Sequence, residues 1–416
     1  MQQPSQVDQI QIKNDSSSQE NRNELLRNNA FVFDSRTRVV YGAGTINRLG
    51  ELAKKTGGNR LLLVSDPGLV EAGHAARGIE LLEAAGLQVT SFYDFTPNPT
   101  TDDVERGLLV AQEAQIDMIV GLGGGSSLDC AKGINFLLTN GGKMQDYWGI
   151  GKATQPMLPM IAVPTTSGTG SEAQSFALIA NKETHMKMAC GDKKAACHTA
   201  ILDPELTLSM PRNITATTAI DAVSHAIETY VTTKRNLISQ LFSRQAWSLL
   251  SNSFFDVLSH PTDINARGEM LLGANLAGAA IENSMLGATH ALANPLTAHF
   301  GMTHGVVIGI MLPNVIRFNA QVQEIALLYK NLAVDAGLCE GNDMNAPQLL
   351  ATFVEKMIKE SDISTRLTDY GMTEEIIPIL AKEAKEQWTG TFNPRPLEVN
   401  DFEELYRCTY LDQAFK

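Results

Sequence analysis

Cysteine is scarce in this sequence and has no ligand-like arrangement. Cys130, Cys190, Cys197, Cys339 and Cys408 are odd in number and form no CxxC pair, which argues against a disulfide framework and a thiolate zinc site. Basic residues are short as well: 33 Lys and Arg stand against 46 Asp and Glu, for a net charge of −13. With no Lys/Arg cluster, the chain lacks the basic face that nucleic acid or an anionic membrane would need. Long apolar runs are missing too. The longest, around Val306–Leu312, contains Gly309 and falls far short of the roughly 20 residues that span a bilayer. No cationic, apolar and small-residue succession opens the chain, so no secretory signal is expected and a cytoplasmic location is.

What is present is enough for two hydrophobic cores. The chain has 416 residues, 44% of them hydrophobic, a length at which two domains are the natural expectation. Residues 1–28 are rich in Gln, Asn, Ser and Glu and read as a mobile, disordered tail. From Phe31 onward, apolar strands alternate with amphipathic helices. Strands are expected at Leu61–Val64, Val89–Phe95, Asp117–Leu122 and Met160–Val163, with helices over Thr101–Gln115 and Leu128–Leu138. Such alternation implies a mostly parallel sheet covered on both faces. Beyond Asp203-Pro204 the pattern turns helical, with helices expected over 217–232, 237–258, 264–283 and 320–336. Pro211 marks a hinge. The expected organisation is an α/β domain over 29–209 and an all-α domain over 210–416, with no internal repeat.

The chemistry-bearing residues fall at strand ends and on the helical half. Only eight histidines occur in the chain. Asp221 and His225 are four apart, which places them on one face of a helix; His290 and His304 follow downstream. Together they suit a one-carboxylate, three-imidazole cage for a divalent transition metal, although each alone reads equally as an ordinary histidine. Gly123–Ser127 follows an apolar strand and opens a helix, an arrangement suited to a diphosphate. The cluster matches neither GxGxxG nor GxxxxGK[ST], and a tight strand-to-helix turn would need glycine by itself. Thr165–Ser171 offers hydroxyls that can bond a ribose, a diphosphate or an amide, or serve as a plain polar turn. Asp66 ends its strand where an acid can bind ribose hydroxyls and repel a 2′-phosphate; a turn-initiating Asp before Pro is the alternative.

The segments Gly123-Gly124-Gly125-Ser126-Ser127-Leu128-Asp129, Pro164-Thr165-Thr166-Ser167-Gly168-Thr169-Gly170-Ser171-Glu172, Ile220-Asp221-Ala222-Val223-Ser224-His225-Ala226-Ile227-Glu228 and Gly287-Ala288-Thr289-His290-Ala291 through Thr303-His304-Gly305 resemble, in order, those of the iron-containing (group III) alcohol dehydrogenases. Pro97-Asn98-Pro99-Thr100 and Asn393-Pro394-Arg395-Pro396 fit as well. The resemblance runs from about residue 30 to the end. It implies a dinucleotide-binding α/β domain, an all-helical metal domain and a homodimer. By matching position it makes Asp221, His225, His290 and His304 the ligands of Fe2+ or Zn2+. Asp66, Asn98, Gly124, Gly125, Ser126, Thr165, Thr166, Thr169 and Lys187 become the contacts to NAD. The implied activity is hydride transfer between a small primary alcohol, or its aldehyde, and NAD.

One position departs from the family pattern. Many members carry a second His four residues after the third ligand; this chain has Asn294, which can hydrogen-bond but cannot exchange a proton near neutrality. His299 is a conceivable substitute, with a surface or packing role as the plainer reading. Four rival functions stay open: a hydroxyacid–oxoacid transhydrogenase that retains NAD, a polyol dehydrogenase, a dehydroquinate synthase-like lyase, and a metal- or nucleotide-binding homologue without catalysis.

Overall fold

The computed structural model describes residues 30–184 and 186–416, so the tail expected over 1–28 lies outside the described residues. Nine strands occur among them: β1 (Arg38–Tyr41), β2 (Arg60–Val64), β3 (Gln88–Phe92), β4 (Met118–Gly123), β5 (Gly149–Ile150), β6 (Met160–Pro164), β7 (Phe176–Ala180), β8 (Lys187–Gly191) and β9 (Thr199–Leu202). Six form one sheet in the order β1-β9-β6-β4-β2-β3, and every pairing in it is parallel. The remaining three form a small sheet, β5-β8-β7, with an antiparallel β7–β8 pair.

Burial on both faces accounts for the apolar runs in the sequence. Side chains alternate across a strand. Leu61 and Leu63 accordingly enter one core with Val120 and Ile161, while Leu62 and Val64 enter another with Ile119 and Ala162. The first core is covered by α1 (Leu49–Thr56) and α3 (His74–Ala84), which flank the short α2 (Pro67–Glu71). The second is covered by α4 (Thr101–Glu113) and α5 (Gly125–Asn140). A strand buried on both faces has no polar side to alternate with; all residues of β4 and β6 are buried.

Two boundaries differ from expectation for local reasons. The strand expected to reach Phe95 ends at Phe92, because its neighbour β2 ends at Val64, opposite Phe92, and offers no further backbone partner. The helix expected at Leu128 begins at Gly125, since the turn is made one residue before Gly124, by Gly123 at φ 154°. A Cβ there would also collide with the Ser127 side chain.

From Arg212 on, the described chain contains helices and no strand. The long ones are α6 (Arg212–Val231), α7 (Leu237–Ser259), α8 (Ile264–Glu282), α9 (Ala288–Phe300), α10 (His304–Asn319), α11 (Gln323–Asp335), α12 (Ala346–Glu360), α13 (Ile377–Glu386) and α14 (Val399–Tyr410). Helix α6 is the axis of this half: from Thr215 to Val231 only Thr218 is not fully buried, the pattern of a helix packed on every side. The expected fold class, a mostly parallel α/β half followed by an all-α half, is the observed one. Residues Ser35–Lys416 pack as one unit, and no described helix is long and apolar enough to cross a membrane.

The strand order opens a crevice. From β2 the chain passes to edge strand β3 and then returns past β2 to β4. The loops after β2 and β4 therefore lead apart, and ligands of open α/β sheets occupy such a switch point at the carboxyl ends of the strands. Asp66 follows β2, Gly124 follows β4, and Thr165 follows β6.

Candidate metal and cofactor site

Three helices of the all-α half bring Asp221, His225, His290 and His304 together. Asp221 and His225 share one face of α6; His290 lies in the first turn of α9, and His304 opens α10. Asp221 Oδ1 is 3.4 Å from His225 Nε2, 3.8 Å from His290 Nε2 and 3.7 Å from His304 Nε2. His225 Nε2 and His290 Nε2 are 3.1 Å apart. Ligands about 2.0–2.1 Å from a tetrahedral centre are roughly 3.4 Å from one another, and the three distances from Asp221 and the one between His225 and His290 lie close to that spacing. Asp221, His290 and His304 form a group whose donor atoms all lie within 4.8 Å of one another, and His225 joins it through Asp221 and His290.

The donor set fits a cation electrostatically. Asp221 Oδ1 is buried and has no hydrogen-bond partner, a costly state for a carboxylate oxygen unless positive charge faces it. Burial opposes its ionisation, yet the three surrounding imidazoles hold the Asp221 carboxyl below the usual range. Burial pushes His225 and His304 below the ordinary imidazole value, which keeps the neutral, coordinating form. His290 goes the other way: the facing carboxylates of Asp221 and Glu228 outweigh burial and raise it to about 9.

Glu228 is the residue that sequence reasoning missed. Its Oε2 is 2.6 Å from His290 Nδ1, which fixes the ring and turns Nε2 toward the cluster. The same carboxylate accepts from the backbone N–H groups of Gly287 (3.2 Å) and Thr289 (2.7 Å), so it caps the positive end of α9. The signal was spacing: 221, 225 and 228 stand at i, i+4 and i+7 on one helix face. The start of α10 is fixed by close packing, because a Cβ on Gly305 would run into the Thr217 carbonyl of α6.

Most of the expected cofactor residues converge at the crevice. No side chain caps the N-terminus of α5 at Gly124. A Cβ on Gly124 would come within 3.2 Å of Thr166, and one on Gly125 within 2.7 Å of Thr169; the two loops touch at their glycines. The Thr165 N–H donates to the Gly123 carbonyl at 3.2 Å. The Asn98 N–H donates to Ser126 Oγ (3.2 Å), and Lys187 Nζ donates to Asn98 Oδ1 (3.4 Å). Asp66 both caps α2, accepting from the Leu69 N–H at 3.2 Å, and accepts from Ser127 Oγ at 3.1 Å. The turn-forming role of Asp66 is thus real, and it holds the carboxylate at the crevice edge. On the far side the Thr165–Ser171 loop meets the helices: a Cβ on Gly168 would come within 2.7 Å of Thr218 Cβ in α6, and one on Gly170 within 2.7 Å of Gly278 Cα in α8. Glu172 Oε1 accepts from Asn275 Nδ2 (3.0 Å), and Glu282 accepts from the Ser175 N–H (2.9 Å).

Asn294 makes no hydrogen bond to the cluster of Asp221 and the three histidines. Its Nδ2 donates to Gln387 Oε1 at 2.9 Å. His299 pairs with Glu383 at 2.8 Å on the exposed side, which is the surface role rather than the substitute one.

Comparison with known proteins assigns this combination to a class. A model described as iron-containing alcohol dehydrogenase matches residues 36–204, and the C-terminal model of the Fe-containing alcohol dehydrogenase family matches residues 215–410. Alcohol dehydrogenase 4 of Schizosaccharomyces pombe is 34% identical over 355 residues, 85% of this chain and 83% of that protein. The NAD-dependent methanol dehydrogenase of Bacillus methanolicus is 32% identical, over 88% of this chain and 97% of its own length. The crystal structure of a 1,3-propanediol oxidoreductase matches with a TM-score of 0.88 at 30% identity, covering 92% of this chain and all of that one. The chain belongs to the iron-containing alcohol dehydrogenase family of oxidoreductases.

Proposed function

We propose that the protein is a metal-dependent alcohol dehydrogenase that moves hydride reversibly between a small primary alcohol, or its aldehyde, and NAD. The observation that carries this reading is the orphaned, buried Oδ1 of Asp221 facing three imidazole nitrogens. Asp221, His225, His290 and His304 would hold Fe2+ or Zn2+. Asp66, Asn98, Gly124, Gly125, Ser126, Thr165, Thr166, Thr169 and Lys187 would hold NAD. When bound, the metal supplies Lewis-acid polarisation of the alcohol or carbonyl oxygen, and NAD the hydride acceptor.

The chain's own residues supply binding and orientation. The uncapped N-terminus of α5 offers backbone N–H groups and a positive dipole end to a diphosphate. Asp66, anchored by Leu69 and Ser127, keeps lone pairs for ribose hydroxyls, and its charge disfavours a 2′-phosphate. Glu228 keeps His290 in the tautomer whose Nε2 faces the cluster. Asn294, held by Gln387, offers a hydrogen bond but no ionisable group, so the proton leaves through water. We place the dinucleotide-binding part at 29–209 and the metal-binding part at 210–416. A cytoplasmic homodimer is the assembly that family membership and the unpaired cysteines favour.

The test pairs metal analysis of protein purified without oxygen with an alcohol and aldehyde panel under both coenzymes. We expect about one transition-metal ion per chain and NAD-linked turnover that stops when the metal is stripped. Full turnover in stripped protein, or no metal in active protein, contradicts the reading.

A further inference from the structure

Where the two halves meet, an aromatic pair stands outside the residues assigned above to the metal and the cofactor. Segment 387–393 runs antiparallel along the start of α9. Gln387 receives the Asn294 amide at 2.9 Å, a Cβ on Gly390 would come within 3.3 Å of Ala291 Cβ, and the Ala288 N–H donates to Asn393 Oδ1 at 3.2 Å. His290 belongs to the same stretch of helix, one turn (about 6 Å) from Asn294. The far end of the strap is tied down: the Phe392 carbonyl accepts from Thr232 Oγ1 at 2.9 Å, and Asn393 Nδ2 donates to Asn319 Oδ1 at 2.7 Å.

This strap fixes the position of Trp388. Its ring lies 6.2 Å from that of Phe176, at 34°, and edge-on to Phe392 at 5.8 Å. Phe176 comes from the other half, as the first residue of β7 directly after the loop that carries Thr165, Thr166 and Thr169. It is held there by its carbonyl, which accepts from the buried Lys132 at 2.9 Å, and by its ring, which covers Gly191. One aromatic from each half thus meets the other beside the strap that lies along α9, and Trp388 is still 37% exposed. A fixed, part-exposed indole beside a polar centre is an apolar surface for the non-reacting part of a ligand.

We propose that Trp388 and Phe176 form the wall along which the carbon chain of the alcohol lies, so that the enzyme prefers unbranched primary alcohols with an extended apolar tail over ethanol-sized or polyhydroxylated ones. This rests on the dehydrogenase reading above. Burying one more methylene strengthens binding about fourfold. The specificity constant kcat/KM is therefore expected to rise by about that factor per carbon from ethanol to 1-hexanol, through KM rather than kcat.

The test compares wild type, Trp388→Ala, Phe176→Ala and Trp388→Phe with holoenzyme, NAD+ and the n-alcohol series. The alanine variants are expected to lose the chain-length slope, to less than twofold per carbon, while ethanol stays within about threefold of wild type; Trp388→Phe retains most of the slope. A flat slope in wild type, an unchanged slope in both alanine variants, or an equal loss for every alcohol overturns the wall. Weakened NAD binding with the slope intact would give the rings to the cofactor and overturns it too. Saturation-transfer NMR of 1-hexanol on metal- and cofactor-free protein separates this claim from the activity. The terminal methyl is expected to receive strong saturation in wild type and little in Trp388→Ala, a result that would stand even if no alcohol were oxidised.

Discussion

At the residue scale, the proposed function turns on a carboxylate oxygen without a partner and on a second carboxylate that aims an imidazole. Glu228 lies outside the donor set yet touches His290 and two N–H groups of α9. Carboxylates that orient a metal-ligating imidazole in this way commonly govern metal affinity by 10–100-fold. Glu228→Gln is accordingly expected to weaken metal affinity by at least about 10-fold with the circular dichroism unchanged, as read by competition with a chromophoric chelator. An unaltered affinity would reduce Glu228 to a helix cap. Asp66 gives a second prediction: Asp66→Ser removes the charge but keeps a capping oxygen. The NADP/NAD ratio of kcat/KM should rise by about 10-fold or more, with little loss of stability. At this scale the sequence was informative about which residue types matter, since a carboxylate and three scarce histidines stand out. Glu228 was half legible: its spacing puts it on the face of Asp221 and His225, but the partner that gives it a role, His290, lies 62 residues later.

At the scale of elements, close packing between backbones sets the site. Gly305 brings the first turn of α10 against α6, and Gly170 brings the Thr165–Ser171 loop against Gly278 of α8. Gly305→Ala is expected to push α10 off α6, destabilise the fold by roughly 1–3 kcal/mol, and lower metal occupancy because His304 is the adjacent residue. Chemical denaturation and metal analysis of the same preparation check both effects. Beneath the Thr165–Ser171 loop, the buried ammonium of Lys132 donates to the carbonyls of Ser171 (2.6 Å), Gln174 (2.8 Å) and Phe176 (2.9 Å). Lys132→Met leaves those carbonyls unpaired, and an expected loss of about 3 kcal/mol accompanies weaker NAD binding, measured by calorimetry. The central strands β2, β4 and β6 were legible as apolar runs because both faces are covered. Four-residue β1 and β9 were not, nor was the small sheet. Strands that short carry too little pattern, and their pairing across 160 residues is a tertiary fact (Arg38 opposite Thr199).

At the scale of the molecule, the strand order opens a crevice at the carboxyl ends of β2, β4 and β6, where the proposed dinucleotide would lie, and the helical half packs a buried donor set against the Thr165–Ser171 loop. Gly168 and Gly170 join the two. Ions that bind only the folded state stabilise it by mass action, about 4 kcal/mol at a thousandfold excess over Kd. Stripping the metal is therefore expected to lower the thermal midpoint by on the order of 5 °C, reversed on adding Fe2+ or Zn2+, with calorimetry as the readout. The central claim is that Asp221, His225, His290 and His304 hold one catalytic metal. Its most direct test is an anomalous-scattering map from crystals of the metal-loaded protein, collected at the absorption edge of the bound metal. The account predicts one strong peak within coordination distance of all four side chains. A metal-loaded, active protein whose peak lies elsewhere, or that shows none among these residues, would contradict it.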